Sequence, residues 1–139
     1  MGYRISMVAG KITVHAEHAN SALQALKRLA EDQRSGRAFA HYARDVRPYR
    51  EATSLGEILD CYGWGWKMSA GGNIEVGRYQ LENSDDEEQV LIRIAPFVVA
   101  GFAEFRGESG ERWRYNFCEG KLYKQEAQFV WGPEKDLSV

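Results

Sequence analysis

At 139 residues and 15.8 kDa, the chain has the length of one domain and enough apolar residues to bury a core. Its formal charge of -2 argues against a general nucleic-acid binder or a polybasic membrane anchor, and no apolar run approaches the length of a spanning helix. Two cysteines, Cys61 and Cys118, are too few for a disulfide scaffold and lack metal-ligand spacing.

Tyr3 to His15 places Ile5, Met7, Ile12 and Val14 in alternation, broken at Ala9-Gly10-Lys11. That pattern predicts a strand with a bulge, or a hairpin. Met1 to Gly10 carries no signal-peptide apolar core, so a cytoplasmic protein with reduced thiols is expected, a Cys61–Cys118 pair remaining open. Ser21 and Gln24 have the spacing of a capping box, and Ala22, Leu23, Leu26, Leu29 and Ala30 give the helix an apolar stripe. Residues 31–52 are the least regular stretch. Gly36 and Pro48 punctuate it, and Arg34, Arg37, Arg44, Arg47 and Arg50 interleave with Phe39, His41, Tyr42 and Tyr49.

Ser54-Leu55-Gly56-Glu57 is a second capping box; Leu55, Ile58, Leu59 and Tyr62 form the helix face, and Gly63 is a natural stop. Trp64, Trp66 and Met68 then alternate as a strand, Ala70-Gly71-Gly72-Asn73 is turn chemistry, and Ile74 to Leu81 returns as the second arm of a hairpin. Ser84-Asp85-Asp86-Glu87 starts a third helix with the buried stripe Val90, Leu91, Ile94 and Val98, which Pro96 should kink or end near Ala95. The succession of capped helix, glycine, strand, turn and strand occurs over 54–81 and again over 84–117, a hint of pseudo-symmetry.

Phe102 to Trp131 reads as three strands joined by turns at Gly107-Glu108-Ser109-Gly110 and Cys118-Glu119-Gly120-Lys121. Trp113, Tyr115 and Phe117 share one face, with Arg112, Arg114 and Asn116 on the other. In the last strand Tyr123, Ala127, Phe129 and Trp131 are expected together, opposite Lys124, Glu126 and Gln128. The four tryptophans Trp64, Trp66, Trp113 and Trp131 are assigned to the core, and residues 133–139 to a frayed tail.

Chemistry is sparsely signalled. His15 and His18 are spaced to share a metal on a helix with Glu17, but no third or fourth ligand accompanies them, and surface residues are the better reading. Ser69 and Ser109 have no base partner, and Gly107-x-x-Gly110 is a hairpin turn rather than a phosphate grip. Glu104, Glu108 and Glu111 flank that turn and suit acid–base work only if burial separates them; Arg106, Arg112 and Arg114 are placed to neutralise them. No catalytic residue, metal or cofactor is assigned. Arginine forks with interleaved aromatics are the better binding signal, so the candidate partner-binding set is Arg37, Tyr42, Arg44, Arg47, Tyr49, Arg50, Arg112 and Arg114.

From Ser54 to Trp131 the chain resembles a widespread, functionally uncharacterised family of small bacterial and phage proteins. The matching residues are Ser54-Leu55-Gly56-Glu57-Ile58-Leu59, Gly72-Asn73-Ile74, Ile94-Ala95-Pro96-Phe97-Val98, Arg106-Gly107-Glu108-Ser109-Gly110, Trp113-Arg114-Tyr115-Asn116-Phe117 and Gly120-Lys121. Phe102-Ala103, Ser109 and Asn73 depart from the family's Ser-Tyr, Asp and Asp. The resemblance implies the fold and no activity. Its phage and mobile-element members imply inhibition of a host defence or neutralisation of a toxin.

The fold expected is a single α+β domain over 1–139, with two or three helices on one face of an antiparallel sheet of five to seven strands. The function expected is non-enzymatic: occupation of a macromolecular partner, a protein before a nucleic acid, with no membrane. The alternative is a small-molecule or nucleotide-binding domain using the aromatic sheet face. Glutamates at the turn acting as a hydrolase are a third reading.

Overall fold

Arg4–Val14 forms one long strand, β1, at the centre of the molecule, so the interruption at Ala9-Gly10-Lys11 is a bulge and not a hairpin turn. A computed structural model describes residues 4–35, 45–82 and 86–139. After β1 come a 3-10 turn (Ala16–His18), α1 (Ala19–Arg34), α2 (Arg47–Glu51), α3 (Leu55–Cys61), β2 (Trp64–Met68) and β3 (Ile74–Glu82). Then follow α4 (Asp86–Ile94), a second 3-10 turn (Ala95–Phe97), β4 (Val98–Gly107), β5 (Arg112–Cys118) and β6 (Lys121–Glu126).

The six strands make one sheet of order β2-β3-β1-β4-β5-β6, and every neighbouring pair is antiparallel. The helices carry the stripe Ala22, Leu23, Leu26 and Leu29, with Ile58, Leu59, Leu91 and Ile94, into one core with the sheet residues Ile12, Val14, Val76, Tyr79, Phe105, Tyr115 and Phe117. Among the described residues the other sheet face carries no helix. This is the α+β layout that the alternation in β5 predicts, with one wet face. There are four helices among the described residues, one more than the upper expectation, because Pro48 at the first turn nucleates α2 inside the stretch read as irregular.

Local chemistry explains most element ends. At α3, Ser54 Oγ accepts from Glu57 N at 3.2 Å, as the capping box predicts. The Glu57 carboxylate, however, reaches one residue further back, to Thr53 N and Thr53 Oγ1, both at 2.9 Å. Those two bonds hold the Glu57 carboxyl below its ordinary pKa. Pro96 stops α4 at Ile94 and turns the next residues into 3-10 geometry, so Val98 opens β4 instead of extending the helix stripe. At α1 the prediction fails: the helix begins at Ala19 behind His18, so Ser21 lies in the first turn and caps nothing. The preceding 3-10 turn supplies the nucleus, so the cap position falls three residues earlier. Ser84 and Asp85 of the third cap lie outside the described residues.

The helix–strand–turn–strand layout does recur, but its two occurrences meet β1 differently. The strand beside β1 is the second of its hairpin in the first unit and the first of its hairpin in the second.

The last strand keeps Tyr123 opposite Lys124 and Glu126, as its alternation predicts, but the polar set takes the helix side and the strand ends early. Register pairs Phe117 with Leu122 and Tyr115 with Lys124, so Leu122, Lys124 and Glu126 face the helices and Tyr123 faces away. β6 ends at Glu126, and Phe129 and Trp131 lie in the extended, exposed chain beyond it. Trp131 is therefore outside the core, whereas Trp64 is inside it. Trp66 lies across Gly56 and donates from Nε1 to Asp60 Oδ1 at 2.9 Å.

Candidate interaction face

β4 buries Ala103 and Phe105, so Phe102, Glu104 and Arg106 face away from the helices. In β5 the buried pair is Tyr115 and Phe117, which turns Arg112, Arg114 and Asn116 outward. Tyr123 and Gln125 complete that face on β6. The aromatic face of β5 thus lies under α4 and cannot serve as an open ligand platform. The polar face is the one available.

Register arranges the open face in rows across the strands. Lys11, Phe102, Asn116 and Tyr123 form one row; Ala9, Glu104, Arg114 and Gln125 the next; Ser6, Arg106 and Arg112 a third. Phe102 and Tyr123 are two strands apart, roughly 10 Å at ordinary sheet spacing, and are 38% and 52% exposed. Arg112 Nη2 donates to Glu104 Oε2 at 2.7 Å. Arg114 donates to Gln125 Oε1 from Nε at 3.3 Å and from Nη2 at 2.9 Å, and Asn116 Nδ2 donates to the same oxygen at 2.8 Å. The Arg114 guanidinium is thereby fixed by a neutral amide and keeps its charge uncompensated at contact. Arg106 and Lys11 form no ion pair among the described residues.

On the other side of β1 the face includes two glycines. Gly65 and Gly77 are cross-strand partners, and beside them Lys67 Nζ lies 3.4 Å from Glu75 Oε2. The glycines, with Gly10 and Lys11, floor a shallow depression of about 690 Å³. Among the described side chains of this face, Lys11, Lys67, Arg106, Arg112 and Arg114 stand with Glu75 and Glu104, on a chain whose net charge is -2. Cations therefore locally outnumber the described acids on this face, while Arg34, Arg47 and Arg50 lie in the helix layer.

The predicted binding residues divide between two places. Arg112 and Arg114 belong to this face. Arg47 and Arg50 belong to α2, in the helix layer on the other side of the sheet, and Arg37, Tyr42 and Arg44 lie outside the described residues. Arg47 is forked onto Asp45, with Nη2 to Oδ2 at 2.8 Å, and this bond holds the Asp45 carboxyl down to about 2. Arg50 is forked onto Glu31, which also takes Arg34 at 3.4 Å; Arg50 first, by its hydrogen bond, lowers the Glu31 pKa. Tyr49 is no contact residue: it is 8% exposed, packs edge-on against Tyr62, and donates its hydroxyl to Cys61 O at 3.1 Å. It anchors α2 to α3. The face also carries Phe102, Tyr123, Lys11, Arg106 and Gln125, none of which is in the partner-binding set the sequence suggests. The parity of Ala103 and Phe105 was the signal that could have exposed three of the face residues.

Elsewhere, titratable groups serve the fold. Tyr115 Oη donates to Glu88 Oε1 at 3.3 Å, and Lys124 Nζ sits 3.3 Å from the same oxygen. Burial, with the Glu87 and Glu88 carboxylates beside it, pushes the Tyr115 hydroxyl well above its ordinary pKa, so it works as a donor and not as a base. Among the described residues no three His, Cys, Asp or Glu side chains gather as a metal set. His18 pairs with Glu17 at 3.6 Å and its ring lies 6.4 Å from Phe97. Cys61 and Cys118 are free thiols, and burial raises the Cys61 pKa. No helix among the described residues is long and apolar enough to cross a membrane.

No family model, curated protein or solved structure matches the chain.

Proposed function

We propose that this is a non-enzymatic binding protein that acts by occupying a macromolecular partner with its open sheet face. The observation that carries the reading is a local excess of cations: Lys11, Lys67, Arg106, Arg112 and Arg114, with Phe102 and Tyr123 among them, share the sheet face that no described helix covers. A flat face of this kind suits the acidic surface of another protein. Forked arginines recognise carboxylates, exposed rings supply contact area, and the Gly65–Gly77 floor lets a partner approach the backbone. Inhibition of a host defence or neutralisation of a toxin is the biological setting that the family resemblance suggests.

The test is affinity capture from the native host with the wild type and an Arg106→Glu/Arg114→Glu double variant. Both side chains are exposed, so the variant keeps the wild-type melting curve. Expected is a discrete partner held by the wild type, released by moderate salt, and absent from the variant. Identical capture by both proteins, or turnover of a small substrate without any partner, overturns the reading.

A further inference from the structure

A face-binding role leaves the outer edge of β6 and the chain after it without a purpose. Among the described residues β6 pairs with β5 alone, so its far side is an open sheet edge. Ala127 N donates to Arg112 O at 2.9 Å. That bond turns the backbone groups of odd-numbered residues toward β5, and those of Leu122, Lys124 and Glu126 toward the open edge. Immediately beyond, Phe129, Val130 and Trp131 are 84%, 82% and 85% exposed. An open ladder followed by a solvated Phe-Val-Trp run is a template for pairing with another chain.

The charges on this edge select the occupant. Lys124-Gln125-Glu126 is self-complementary about Gln125: antiparallel pairing there sets each Lys124 opposite Glu126 of the other copy, twice by symmetry. These are also the residues whose backbone groups face the edge, so the charge match and the hydrogen-bonding phase agree. The same register carries Gln128 opposite Leu122 and Val130 opposite Gly120, on the helix side. There a mostly apolar groove of about 470 Å³, lined by Ile92, Pro96, Gly120 and Leu122, lies open, and Ile92 is 46% exposed. Gly120 contributes no side chain, which leaves room for Val130. On the outer face, Phe129 falls opposite Lys121 and next to Tyr123.

We propose that a second copy of this chain docks on the β6 edge. The two sheets join antiparallel about Gln125, and each 127–131 segment covers the α4–β6 groove of the other copy. Both open faces then lie on the same side of one continuous sheet, doubling the basic surface.

Sedimentation velocity over a concentration series tests this with the full chain. Expected is a reversible dimer for the wild type. Glu126→Lys sets lysine against lysine at both symmetry-related pairs and weakens the dimer roughly tenfold, and Lys124→Gln/Glu126→Lys, which removes that repulsion without placing a carboxylate beside Glu88, restores most of it. Val130→Asp gives a monomer whose far-UV circular dichroism matches the wild type. A monomer at every concentration overturns the proposal. So does a dimer indifferent to Glu126→Lys or Val130→Asp, or a double variant that stays folded without regaining the dimer.

Discussion

At the scale of single residues, the fold depends on a few close approaches. A Cβ on Gly56 would stand 2.2 Å from the Trp66 ring, so the helix and the strand it precedes touch only because that side chain is absent. Gly56→Ala therefore forces Trp66 off α3 and breaks its bond to Asp60. The expected loss is about 1–3 kcal/mol, as for other overpacked contacts, with a red shift in tryptophan emission as Trp66 becomes more solvated. Chemical denaturation followed by fluorescence checks both. Neither fact was legible in the sequence, where Gly56 reads as an ordinary second residue of a capped helix. Tyr49 was misread for a related reason: an aromatic among arginines looks like a binding residue until its hydroxyl is found on Cys61 O. Local composition carries no record of which side of a short helix faces the core.

At the scale of elements, local rules succeed where the deciding interaction is local. The hairpin turns, the Ser54 cap and the halt at Pro96 all depend on residues within four positions of one another, and all were readable. The β5–β6 turn shows how far this extends. Glu119 and Gly120 have φ of 51° and 77°, the two positive values that suit a two-residue hairpin loop. Gly120 adopts this freely, whereas Glu119 is the only described non-glycine residue held at positive φ. Asparagine tolerates that conformation better than glutamate, and Asn-Gly is the preferred pair. Glu119→Asn is thus expected to stabilise by about 0.5–1 kcal/mol, seen as a rise of roughly 2–3 °C in a thermal melt. A fall in melting temperature would mean that Glu119 has a compensating role in the turn. What local rules could not supply was the end of β6, since whether 127–131 continues the ladder depends on a neighbour rather than on its own alternation.

At the scale of the molecule, covering one sheet face separates the residues that stabilise from those free to bind, and the separation runs through a single strand. Phe102 and Phe105 both lie in β4, three positions apart and on opposite faces. Phe105 is fully buried, stacked 5.9 Å from Trp113 and edge-on to Trp64, Tyr79 and Tyr115 at 5.7–6.1 Å. Removing its ring leaves a cavity walled by four rigid aromatics that cannot collapse into it, so Phe105→Ala should cost about 3–5 kcal/mol. That is a large share of what a domain of this size holds in reserve. Phe102 is 38% exposed and packs on no helix, so Phe102→Ala should change stability by less than about 1 kcal/mol. If the open face is where a partner sits, the order reverses for function. Phe102→Ala then weakens partner capture while the melting curve holds, because it removes ring contact between Lys11 and Asn116 without touching the core. Phe105→Ala lowers capture only in proportion to the protein it unfolds. Melting curves and capture measured side by side on the two variants distinguish these cases. Equal losses of stability would mean that the outer face is structural after all, and undiminished capture by Phe102→Ala would move the partner to another surface.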